Sequence, residues 1–256
     1  MRYRVAIDRN RGTKRAWMDA AGQQGIPCAF IVKDGRIEWI GHPLMGLDVR
    51  VAELAGDEAY ASQCREVGRH RTKFMTALQG GRWKEASKAC AALLEHDPDD
   101  LSLRMTQYQL LAARLKKSKQ AGRIGREIVE GADEPGSLNE FAWGILTDPA
   151  YEGARDLKLA TAAAKKAVAL CGEKDAAVLD TYARALWDGG DREGAIEWQK
   201  KAVKLGTGNP KMDAEIGKTL KAYERKMKSG RAGKGDDDDD EEAGDDVDDK
   251  EDDDDD

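Results

Sequence analysis

The strongest constraint on this chain is a repeat of about 34 residues that runs through its middle. Each unit reads as two amphipathic helices separated by a break. In residues 67–100, Phe74, Ala77 and Leu78 form one apolar stripe, and Gly80-Gly81 interrupts it. Trp83, Ala86, Cys90, Leu93 and Leu94 then form a second stripe at three-to-four spacing, which His96-Asp97-Pro98-Asp99 ends. Two short helices joined by a glycine turn have to pack antiparallel, and each pair leaves an outer apolar face that needs a neighbour. Residues 176–209 repeat the plan with Leu179, Tyr182, Ala183 and Leu186, the turn Gly189-Gly190-Asp191, then Ala195, Ile196, Ala202 and Val203. Residues 101–133 are a degenerate unit without the small residues. Residues 138–171 are a unit whose turn is stretched by an insertion at 148–153. Met212, Ile216, Leu220, Tyr223 and Met227 predict a final amphipathic helix with a polar outer face, which an open stack requires.

The string YARALWDGGDREGAIEWQKKAVKL closely resembles a tetratricopeptide repeat. In the first unit Gly81, Trp83, Ala86, Cys90, Leu93 and Pro98 also fall where that family places its turn glycine, packing residues and terminal proline. The resemblance implies an all-α repeat solenoid with a capping helix over residues 67–228. Such a stack would offer a concave surface to an extended peptide or a partner helix.

The first 56 residues follow a different period. Arg4-Val5-Ala6-Ile7 predicts a strand and residues 13–24 a helix bearing Trp17, Met18 and Ala21. Cys28 to Val32 is a continuous apolar run suited to a strand. Asp34-Gly35 favours a tight hairpin turn, and residues 36–40 alternate as the partner strand. Val49, Ala52 and Leu54 suggest a closing helix. The string GTKRAWMDAAGQQGIPCAFIVKDGRIEWIGHP resembles the C-terminal half of a thioredoxin-like domain of the thiol–disulfide interchange (redoxin) type. That resemblance implies an incomplete α/β segment over residues 1–56, with Pro27 as the family's cis-proline and Ile26 and Pro27 as contacts to substrate backbone. The family places a strand, a CxxC and a helix ahead of the matching segment, and this sequence holds no CxxC. Two expectations stand: the dithiol lies upstream in a longer protein, or the segment folds incompletely.

Charge divides the chain further. Residues 236–256 hold seventeen Asp or Glu and one Lys, a net of −16. Against the whole-chain charge of −7, residues 1–235 therefore sum to +9. So dense an acidic run repels itself, and residues 229–256 are expected to be a disordered linker and tail. The tail reads either as a solubiliser or as a cover for basic surface. Basic clusters occur at Lys116, Lys117, Lys119, Arg123 and Arg126, and again at Lys218, Lys221, Arg225, Lys226 and Lys228. No nucleic-acid-reading motif accompanies them and the tail would compete, so nucleic acid is not the expected partner. No run of about 18 apolar residues exists, so no membrane span is expected. The compartment stays open between cytoplasm and cell envelope.

Chemistry-bearing residues are few. For Cys28 a lone reactive thiol and a small buried hydrophobe are both open, the second matching the burial habit of free cysteines. Cys90 and Cys171 fall on apolar helical faces, and Cys64 in the stretch 57–66, read as a connector. His42, His70 and His96 share no ligand spacing with one another or with the cysteines, so neither a metal nor a cofactor is expected. The fold class is α+β: an incomplete thioredoxin-like segment, a tetratricopeptide-repeat solenoid and an acidic tail. The function expected is a protein- or peptide-binding scaffold with no catalytic residue in this chain. The alternative is a thiol–disulfide oxidoreductase whose CxxC lies upstream.

Overall fold

The computed structural model describes residues 9–43 and 45–232, so the expected strand at 5–8 and the acidic tail at 236–256 lie outside the described residues. The described chain is mostly helical, with one two-stranded sheet. It divides into two compact units at Ile124 and Gly125.

After a short turn at Arg9–Arg11, the first unit has a wide helical turn, Lys14–Asp19, in place of the longer helix expected over 13–24. Gly22, at φ 66°, carries the chain out of helical geometry within one turn of Asp19. Strands β1 (Ala29–Lys33) and β2 (Arg36–Gly41) pair antiparallel, Phe30 opposite Ile40 and Lys33 opposite Arg36, with an irregularity after Ile31. Asp34 and Gly35 have φ of 49° and 76°, the doubly positive two-residue turn whose twist matches that of the strands it joins. A lone hairpin is marginally stable in water. Here Trp17 meets Phe30 edge to face at 5.4 Å, and Arg50 of α1 (Leu47–Ala55) reaches Glu38 of β2 at 3.8 Å.

Helix α1 packs on α2 (Glu58–Gln79), with Ala52 and Ala61 buried. The stretch 57–66, expected as a connector, is thus the cap and opening turns of α2. Asp57 accepts a hydrogen bond from the Tyr60 amide at 2.9 Å, and Arg65 binds Glu58 at 2.8 Å and Glu53 of α1 at 2.7 Å. The Arg65 and Arg50 guanidiniums hold the Glu53 carboxyl below its ordinary range.

Helix α3 (Trp83–His96) returns antiparallel to α2 through Gly80 and Gly81. Gly81 sits at φ 65°, a conformation that glycine adopts without the usual steric cost. Phe74 and Ala77 of α2 form a core with Ala86, Ala89, Cys90 and Leu93 of α3. The degenerate unit supplies α4 (Leu101–Gln109), which widens over Leu110–Arg114, and α5 (Ser118–Gly131). Gln107 Nε2 donates to Ser87 Oγ at 3.1 Å, and the Arg114 guanidinium lies 4.9 Å above the Trp83 ring. The Cys90 thiol donates to the Leu103 carbonyl at 3.4 Å; burial, with help from Asp100, pushes its pKa up to about 12.

The second unit contains α6 (Pro135–Thr147), α7 (Leu157–Cys171), α8 (Ala176–Gly189), α9 (Arg192–Leu205) and α10 (Pro210–Ala232). Helices α6 and α7 pair, α8 packs on both, α9 pairs with α8, and α10 packs on α9. This succession of antiparallel pairs is TPR-like. The insertion at 148–153 folds as a single tight turn, with Asp148 accepting from the Ala150 amide at 2.8 Å. Helix α10 runs through Ser229 to Ala232, which were expected to begin a linker.

Aspartate marks the helix starts. Asp100, Asp156, Asp175 and Asp191 each cap a helix through a carboxylate that accepts a backbone N–H two or three residues on. Lys166 of α7 serves the opposite end of α5, donating to the Val129 and Glu130 carbonyls at 2.7 and 2.8 Å. Replacing Asp191 with Ala is expected to cost about 1 kcal/mol of stability in urea unfolding, with an unchanged slope. In labelling with a thiolate-selective reagent at neutral pH, Cys90 is expected to stay unmodified until the protein is unfolded. Labelling of native Cys90 as fast as that of a free thiol would contradict its place in the core.

Candidate functional site

The residues singled out beside the hairpin are close in sequence and differ in exposure. Ile26 is 90% exposed, the Ile26–Pro27 peptide is cis, and Cys28 is half-buried just before β1. All four cysteines are free thiols. Cys64 lies on α2 one helical turn from Tyr60, and its proximity raises the Tyr60 pKa.

The helix pairs of the second unit carry the more developed surface. On α6 the buried stripe is Leu138, Phe141, Ala142, Ile145 and Leu146. The opposite side presents Glu140 and Trp143, the indole being 42% exposed. One turn before Trp143, Asn139 Oδ1 is buried without a hydrogen-bond partner among the described residues. An exposed indole, apolar over its ring and able to donate through its N–H, suits a ligand with an apolar side chain and a polar backbone.

Helices α8, α9 and α10 meet at a polar junction. Gln199 of α9, fully buried, donates through Nε2 to Asp180 of α8 at 2.5 Å and to the Ile216 carbonyl of α10 at 3.1 Å. Burial raises the Asp180 pKa, while the Gln199 hydrogen bond and Arg184 oppose that shift. Trp187 stacks flat on Tyr223 at 4.0 Å, and Arg192 lies 5.6 Å from the Trp187 ring. Burial pushes the Tyr223 hydroxyl up to about 12. Arg184 closes the cluster on Asp188 at 2.7 Å. These contacts hold α10 against the last helix pair.

One group assembled by the structure is absent from the sequence reading. His70 and His96, expected to be unrelated, face each other across the α2–α3 pair with ring centres 6.0 Å apart, and Glu66 adjoins them. The signal lay in the hairpin, since both histidines stand a few helical turns from Gly80-Gly81, on opposite arms.

No family model matches the chain, and no curated protein matches it. Among solved structures, a MamA RS-1 double mutant is similar at 18% identity, covering 64% of this chain and 97% of that one, with a TM-score of 0.40. MamA 41-end from Desulfovibrio magneticus RS-1 is similar at 17% identity, covering 66% and 97%, also at 0.40. A further MamA crystal structure is similar at 13% identity, covering 66% and 95%, at the same score. A TM-score of 0.40 fixes no fold, so the TPR-like description rests on this chain's own helix pairs.

Proposed function

We propose that this protein is a binding scaffold whose helix pairs hold a peptide or a partner helix. The observation that carries this reading is the outer side of α6, where the Trp143 indole is 42% exposed beside the exposed Glu140. Helix α6 is packed on α7 and α8 through a buried apolar stripe, so the indole is held in place before a ligand arrives and the entropic cost of binding is lower. An extended peptide or a partner helix fits because its apolar side chains can cover the indole.

The finer reading is that residues 3–56 are the C-terminal half of a thioredoxin-like segment without a redox dithiol. Its support is the order of a helical turn, a strand, a two-residue Asp-Gly turn, an antiparallel strand and a closing helix, with Trp17 packed on Phe30. A CxxC upstream would make the same segment part of a thiol–disulfide oxidoreductase, to which the helix pairs would bring substrate.

Peptides selected by display on the purified protein test the scaffold reading. Trp143→Ala is expected to weaken the selected peptides by about ten-fold or more, the effect of removing a central aromatic anchor. Lys165→Ala, at an exposed position of α7, should leave them unchanged. Unaltered affinity in Trp143→Ala, with helical content preserved by circular dichroism, would contradict the assignment of this surface.

A further inference from the structure

The α2–α3 hairpin gathers three side chains that no motif connects. Glu66 and His70 are one helical turn apart on α2, with His70 Nε2 3.9 Å from Glu66 Oε1. His96 stands in the last turn of α3, its ring inclined 41° to that of His70. One ligand atom from each of the three lies within 4.8 Å of the other two.

We propose that Glu66, His70 and His96 bind a divalent ion of the zinc class, with water completing the coordination. Two imidazole nitrogens and one carboxylate oxygen suit borderline ions such as Zn²⁺, whereas Mg²⁺ and Ca²⁺ prefer oxygen donors alone. In a tetrahedral site with bonds of ~2.0–2.1 Å, ligand atoms stand roughly 3.3 Å apart. Binding would close the present spacing to that value through rotation of the side chains. The His70 and Glu66 side chains are 25% and 53% exposed, which leaves room for such rotation. The free carbonyls at the end of α3 add negative potential next to His96 and favour a cation there.

The ion would join two helices far from the turn that already links them. A ligand that binds only the paired helices stabilises them by mass action. The site thus gives this protein a metal-dependent clamp on its first helix pair, separate from the peptide surface proposed for α6.

The test uses the full chain without an affinity tag, stripped with chelator and titrated with Zn²⁺ in excess Mg²⁺, so that carboxylates of the acidic tail are already occupied. One equivalent of Zn²⁺ should bind, raise the midpoint of thermal unfolding, and shift the ring nitrogen signals of His70 and His96 but not those of His42. His70→Ala and His96→Ala should each weaken binding by about ten-fold or more. Deletion of residues 236–256 should leave the affinity unchanged. Ring nitrogens of His70 and His96 that do not move at one equivalent would overturn the proposal, as would equal affinity in both histidine variants. The ring signals of the unaltered chain decide the matter even where a variant fails to fold.

Discussion

Close approach of paired helices through alanine is the interaction on which the second unit depends. Ala142 of α6, Ala160, Ala163, Ala164 and Ala167 of α7, and Ala183 and Ala185 of α8 have 0% exposure. Ala195 and Ala202 of α9 do as well. Side chains at the contact set the separation of packed helices, within a range of about 8–10 Å. Alanine puts these pairs at the close end and costs no side-chain entropy. Leu138, Ile145, Leu146 and Leu179 then fill the spaces between pairs. Van der Waals contact and removal of apolar surface from water supply the stability, and aspartate caps fix where α7, α8 and α9 begin.

Aromatic residues take a different place. Tyr182 meets Trp198 edge to face at 5.2 Å, with Lys201 Nζ 3.8 Å from the indole, and Trp187 stacks on Tyr223. Tyr182, Trp187 and Trp198 are half-buried, whereas Tyr223 is buried against Trp187. The outcome bears on function, since Trp143 on α6 and the cluster under α10 are where large polarisable groups meet solvent or polar partners. In the first unit, ion pairs take over where apolar contact is thin. Arg50 and Arg65 connect β2, α1 and α2 through Glu38, Glu53 and Glu58.

Local chemistry made most helices legible in the sequence. Glycine turns at 80–81 and 189–190 and apolar stripes at three-to-four spacing are local signals, and the helices follow them. The hairpin was legible for the same reason, through Asp34-Gly35 between two apolar runs. Residues 57–66 were misread because their polarity resembles a linker, although Asp57 and the Arg65 ion pairs support a helix. The end of α10 was misread because glycine and basic residues at 229–232 mimic a flexible segment. The histidine cluster was invisible to ligand spacing along the chain, since it exists only once α3 folds back on α2. Trp143 was visible as a residue, but its exposure follows from tertiary packing.

Enlarging one buried alanine tests the account most directly. Ala164→Leu forces extra volume between closely packed helices and should destabilise the protein by about 1–3 kcal/mol in urea unfolding. Lys165→Leu, the neighbouring exposed position, should change stability by no more than about 0.5 kcal/mol. If Ala164→Leu proves as stable as the parent protein, the helices are not held at alanine distance and the packing described here is wrong.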